Sequence, residues 1–133
     1  MTRMTIGALA AASGIKVSTI RFYERAGLMP LPARSVGRQR TYTGDHVRRL
    51  RFICRARELE FSVEEIRVLL ALAQPAQTSC REVHDLAAAH LERLQRKITV
   101  LTKVATMLSG AVERCSGEPN PPCPVLELLE SVP

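Results

Sequence analysis

Three of the four cysteines in this 133-residue chain stand where one copy cannot bring them together. Cys80 opens a long heptad-patterned segment, and Cys115 and Cys123 bracket a proline-rich stretch beyond its far end. Run as one helix of about 30 to 35 residues, rising about 1.5 Å per residue, the segment separates Cys80 from that stretch by roughly 45 to 52 Å. A second copy closes the gap. In an antiparallel two-helix pair the start of one helix lies beside the end of the other, so Cys80 of one subunit meets Cys115 and Cys123 of its mate. Three thiolates gathered this way make a soft-metal site at a dimer interface. A Cys115–Cys123 disulfide or three unrelated buried thiols are the plainer alternatives.

The elements that must position these thiols are written into the flanking sequence. Ser79 and Glu82 have capping-box spacing, which puts Cys80 at the first helical position, where the positive end of the helix dipole favours the thiolate. Ala87, Leu91, Leu94, Ile98, Leu101, Ala105, Leu108 and Val112 then recur at alternating steps of four and three, a coiled-coil seam. After Gly110 to Gly117 comes Glu118-Pro119-Asn120-Pro121-Pro122, a stiff, helix-hostile loop framed by Cys115 and Cys123. Pro124 suits the first position of a short helix, Val125 to Glu130, whose Val125, Leu126, Leu128 and Leu129 would keep water from a metal site. Cys54 belongs to neither end and is expected to be a small buried residue.

The front of the chain has a different character. Residues 1 to 60 hold 12 Lys and Arg against 4 Asp and Glu, a charge of +8, whereas residues 61 to 133 hold 7 against 9, a charge of −2. A basic N-terminal half joined to a near-neutral remainder is the footprint of a nucleic-acid module, with solvated surface charge as the bland alternative. Thr5 to Leu28 predicts two short helices around a turn at Ser13-Gly14, ended by Gly27 and by Pro30. The second carries Lys16, Ser18, Thr19, Arg21, Tyr23 and Arg25 for phosphates and base edges, with Val17, Ile20 and Phe22 expected to pack. Pro30 to Thr43 suggests a hairpin or wing bearing Arg38, Arg40 and Tyr42. Thr43 caps a third helix rich in arginine (Arg48, Arg49, Arg51, Arg55, Arg57), and Ser62 with Glu65 opens a fourth, ended by Pro75.

Composition narrows the class. With 46% hydrophobic residues, no Trp and 4% aromatics, the chain favours helices over a β-sandwich and needs dimerisation for part of its burial. No apolar run reaches bilayer length and no signal-peptide pattern is present, which predicts a cytoplasmic protein without a membrane partner, whose cysteines are free thiols or ligands. Catalysis is not expected, since there is no Gly-rich phosphate loop, paired-carboxylate motif or Ser-His-Asp order. The expected fold class is mainly α: a winged helix-turn-helix domain over residues 1–75 with connecting helices, a dimerisation helix over 76–114, and a metal-binding loop with a short helix over 115–133.

In that order the parts resemble the MerR family of metal-responsive transcription regulators, nearly end to end. The resemblance is strongest at Thr19-Ile20-Arg21-Phe22-Tyr23-Glu24-Arg25-Ala26-Gly27-Leu28, preceded by Thr5-Ile6-Gly7 and followed by Arg40-Thr41-Tyr42, with Cys115 to Cys123-Pro124-Val125-Leu126 similar to the loop of the soft-metal branch. It implies a homodimer on double-stranded promoter DNA, repressing without metal and, when metal-bound, distorting an overlong promoter spacer so that RNA polymerase engages both elements. It places Thr19, Arg21 and Tyr23 on the recognition helix and Arg38, Arg40 and Tyr42 on or beside the wing.

Relatives sensing monovalent copper, silver or gold carry Ser where this chain has Cys80, so the resemblance implies a divalent metal. Three thiolates suit trigonal Hg(II), with Pb(II) and Cd(II) as alternatives. Zn(II) prefers four ligands, and the loop lacks the second adjacent cysteine and the histidine of zinc-sensing relatives. Seven residues separate Cys115 from Cys123, one fewer than expected of mercury sensors, so the metal stays open here. His84, one turn from Cys80, is expected to be a partly exposed polar residue, and His46 and His90 surface groups. Rival classes are a thiol redox-sensing regulator, which would use the same cysteines, and a metal-buffering protein, which would have no use for the basic half.

Overall fold

The computed structural model describes residues 3–30, 33–34, 37, 40–74, 80–115, 117 and 122–131. Helices α1 (Ile6–Ser13) and α2 (Val17–Arg25) are followed by strands β1 (Ala33–Arg34) and β2 (Arg40–Thr41), then by α3 (Gly44–Glu58), α4 (Val63–Leu72), α5 (Cys80–Arg114) and α6 (Pro124–Glu130). The chain divides into two compact units, Met1–Leu86 and Ala87–Pro133.

In the first unit local chemistry sets each boundary. The Thr5 hydroxyl accepts from the Ala8 N–H at 3.1 Å to start α1, and Gly14 ends it at φ 74°, a left-handed conformation that favours glycine. Gly27, at φ 79°, plays the same part after α2, and the chain then turns back through Leu28 N–H to Tyr23 C=O at 2.9 Å. The Ser62–Glu65 capping box forms reciprocally: Glu65 N–H donates to Ser62 Oγ at 3.1 Å and Ser62 N–H to Glu65 Oε1 at 2.9 Å.

β1 and β2 pair antiparallel, Ala33 opposite Thr41 and Arg34 opposite Arg40, forming the wing that the Pro30–Thr43 composition predicts. Its base is tied to the N-terminus by the exchange of two backbone hydrogen bonds between Met4 and Tyr42, at 2.8 and 2.9 Å. Helix α1 packs on α2 and α3, and α3 on α4. Leu9, Ile20, Leu28, Tyr42, Leu50, Ile53 and Ile66 are fully buried at the centre, with Cys54 half-buried against them.

The five arginines of α3 are tied into the fold to different degrees, and all but Arg49 are exposed. Arg49 Nε donates to Leu28 C=O at 2.6 Å, Arg51 reaches Ala12 C=O at 3.5 Å and Arg57 reaches Phe61 C=O at 3.1 Å. Arg48 pairs with Asp45, and Arg55 pairs with Glu58 at 3.0 Å. Arg49, Arg51 and Arg57 thus bind backbone carbonyls, whereas Arg48 and Arg55 pair along their own helix.

In the second unit α5 continues without a break, and 35 residues make it about 52 Å long. The seam residues Leu91, Ile98, Leu101, Leu108 and Val112 are exposed within one chain, Leu101 to 64%. Ala111 is fully buried. Pro124 starts α6 with Cys123 as its N-cap, and Glu127 N–H donates to Cys123 C=O at 2.9 Å. Pro75 and Ser79 lie outside the described residues. Among the described residues no helix is long and apolar enough to cross a membrane.

Candidate functional site

Helix α2 presents one open face. Ser18, Arg21, Phe22 and Arg25 are exposed, and their spacing of three and four residues aligns them, while Ile20, Tyr23 and Glu24 turn inward. One expectation is corrected by that geometry: Phe22, expected to pack, is 47% exposed beside Arg21, while Tyr23, named among the contacting groups, keeps 8% exposure. Alternation of polar and apolar residues is strand logic; a helix of 3.6 residues per turn exchanges the two positions. Lys16, the N-cap of α2, is exposed and Thr19 is half-buried.

At the wing, Arg40 keeps 43% of its side chain exposed and its guanidinium lies 3.3 Å from Glu24 Oε1. Tyr42 is fully buried, and its hydroxyl donates to Glu24 Oε2 at 3.0 Å, so it supports the wing from below rather than offering itself to a ligand. Burial, reinforced by the hydrogen bond and charge of Glu24, pushes the Tyr42 phenol above its usual range. Arg38 lies outside the described residues.

His46 differs from the surface group expected of it. It is half-buried, its ring stands edge-on to Tyr42 at 5.2 Å between centroids, and its Nδ1 accepts from the Thr43 N–H at 3.0 Å. Histidine thus takes the place that Glu or Gln fills in a capping box. Burial lowers its pKa below 6.5, with the charge of Arg49 acting the same way and that of Glu24 opposing. A depressed folded-state pKa means the neutral ring stabilises the fold fully above about pH 6.5, and that contribution is lost as pH falls through the folded value. The urea midpoint of the wild type is therefore expected to fall below pH 6.5 more than that of His46→Gln, whose amide oxygen accepts the same N–H without titrating. Parallel pH curves for the two proteins would show that His46 contributes nothing.

The three cysteines singled out by sequence are free thiols. Cys80 is the first residue of α5 and exposed, Cys115 directly follows its last residue and is exposed, and Cys123 is half-buried at the start of α6. Among the described residues of one chain, no three Cys, His, Asp or Glu converge as a metal site. His84 is exposed, with Nδ1 3.1 Å from Asp85 Oδ1. His90, expected at the surface, is instead 6% exposed, with Arg93 at 3.4 Å from Nδ1, one helical turn away.

Comparison with known proteins matches residues 4–73 to the model of the MerR HTH family regulatory proteins and residues 47–111 to that of MerR, DNA binding. An HTH-type transcriptional regulator HmrR of Sinorhizobium medicae is 38% identical over 93% of this chain and 84% of its own. A mercuric resistance operon regulatory protein of Bacillus cereus is 38% identical over 96% of this chain and 97% of its own. Among solved structures, a transcription regulator of Ralstonia metallidurans in complex with lead(II) matches at TM-score 0.81 and 36% identity, over 95% of this chain and 98% of that one. The MerR regulator of Bacillus megaterium in complex with mercury(II) matches at TM-score 0.67 and 34% identity, over 96% and 100%.

Proposed function

The chain belongs to the MerR family of HTH regulatory proteins and is a metal-responsive transcription regulator, not an enzyme; from that premise we propose that it acts as a homodimer on promoter DNA and answers Hg(II). Each of two equivalent sites takes Cys80 from one subunit and Cys115 with Cys123 from the other. The observation that carries this reading is the placement of free thiols at the two ends of one unbroken 35-residue helix, a separation that antiparallel pairing removes. The exposed seam of α5 supports the pairing, since burying each large apolar side chain stabilises by about 1.5–3 kcal/mol.

The donor set fits a soft divalent ion. Three sulfurs suit a trigonal site. Cys123 stands at the N-cap of α6. Bound there, Hg(II) would supply metal–sulfur bonds tying one chain to the other. Such a tie acts only if it binds two dimer conformations unequally, and ligands drawn from both chains meet that condition. The resistance regulator of Bacillus cereus and the mercury(II) complex support mercury. The lead(II) complex, matching at the higher TM-score, supports Pb(II) as a second reading, with Cd(II) and Zn(II) behind it.

On the DNA side, Lys16 at the N-cap of α2, Ser18, Thr19 and Arg21 of α2, Arg40 of the wing and Arg38 on or beside it are the contacting groups, joined by Arg25 on the same open face. Tyr23 and Tyr42 hold these elements in place. The metal-bound dimer then distorts the promoter DNA so that RNA polymerase engages it. The test is reporter activation by Hg, Pb, Cd, Zn and Cu in cells carrying wild type or Cys80→Ser. Hg(II) is expected to activate at the lowest concentration, and Cys80→Ser to raise that concentration by more than about 100-fold, beyond the 10- to 100-fold cost of losing an outer-shell partner. Activation by zinc or copper alone would refute the mercury assignment, and an unchanged divalent response in Cys80→Ser would refute the triad.

A further inference from the structure

We infer that Glu24 is a positioning residue for DNA recognition, its buried carboxylate locking the wing to the recognition helix so that Arg40 is held ready for the duplex. The inference rests on the DNA-binding reading above. Glu24 sits on α2 at the border between the open face and the core, and its side chain is only 4% exposed. A buried carboxylate is costly unless both oxygens are answered. Here Oε1 faces the Arg40 guanidinium at 3.3 Å and Oε2 accepts from Tyr42 O–H at 3.0 Å.

Tyr42 is in turn immobilised from two sides, by its backbone exchange with Met4 and by the His46 ring standing edge-on at 83°. Glu24 of the recognition helix thus holds Arg40 and Tyr42 directly, and through Tyr42 is linked to the lead-in to α1 and to the first turn of α3. Arg40 commits one nitrogen to Glu24 and stays 43% exposed, which leaves other donors of its fork for a phosphate or base edge.

A carboxylate beside a DNA-binding face opposes the polyanion, so its charge alone should weaken binding. Its benefit is geometric: an arginine already held in place loses less freedom on binding. The two effects have opposite signs, and Glu24→Gln separates them. Without the positioning role, removing a negative charge tightens DNA binding. With it, binding weakens despite the gain in net positive charge.

The experiment titrates the full-length dimer with a labelled operator duplex, selected by the wild type from random sequence, at several salt concentrations. Glu24→Gln is expected to bind about tenfold more weakly, with a salt slope reduced by about one phosphate contact. Arg40→Gln should cost a similar factor, and the double variant no more than either single one. Tyr42→Phe, which keeps the ring and removes only one partner of the carboxylate, should weaken binding about threefold and guards against a Glu24 variant that does not fold. Equal or tighter binding by folded Glu24→Gln, multiplying effects in the double variant, or unchanged binding by Tyr42→Phe would each overturn the inference. A wild type that selects no duplex would overturn the DNA-binding reading and this inference with it, an outcome distinct from variants failing the cycle on a duplex the wild type binds.

Discussion

Co-expressing a Cys80→Ser chain with a Cys115→Ser/Cys123→Ser chain is expected to restore metal-dependent activation that neither chain gives alone. In the mixed dimer one end joins the intact Cys80 of the second chain to the intact loop of the first, while the other end has no sulfur at all. Random pairing makes about half of the dimers mixed. A site drawn within one subunit predicts the reverse, because neither chain then carries a complete set. Cys80 and Cys115 are exposed, so their replacement should leave apo stability unchanged, and loss of response can be read as loss of ligands. The readout is Hg(II) bound per dimer, by equilibrium dialysis, beside reporter output. No recovery in a mixed dimer shown to form and to bind DNA would refute the cross-subunit site.

Leu101→Asp is expected to take the dimer apart. Leu101 is 64% exposed in one chain, midway along the α5 seam, and two-fold symmetry inserts the substitution twice into one interface. Losing about 1.5–3 kcal/mol of burial per copy weakens the dimer by about 100- to 10,000-fold, before the cost of the buried charges is added. Sedimentation at micromolar concentration should show monomer. The helical N-terminal unit should still unfold at the wild-type urea midpoint, because its core runs from Leu9 to Leu70 and does not include α5. A Leu101→Asp protein that stays dimeric would place the seam elsewhere and remove the geometric basis of the metal site.

The placement of Cys80, Cys115 and Cys123 at the ends of α5 and the start of α6 was legible in the sequence, because it depends on residue types along one long helix. An alternation of four and three and a proline at the first turn of α6 mark the helices whose ends carry Cys80, Cys115 and Cys123. The DNA face was less legible. Residue type names its candidates, but the exposure of Phe22 and the burial of Glu24 follow from helix geometry and packing. The spacing of Ser18, Arg21, Phe22 and Arg25 carries the signal that puts Phe22 on the open face.

Sequence by itself determined the helices, their ends, the wing and the order of the parts, since Thr5, Gly14, Gly27, Ser62 and Pro124 act through partners within about five residues. Only tertiary structure decided which side chains are open and which are held. Glu24 meets Tyr42 across 18 positions, Arg49 meets the Leu28 carbonyl across 21, and Arg51 meets that of Ala12 across 39. Burial of His46 and the local use of the α3 arginines follow from the same packing. Local hydrogen bonds form whatever the rest of the chain does, whereas exposure is set by segments that become neighbours only after the helices pack.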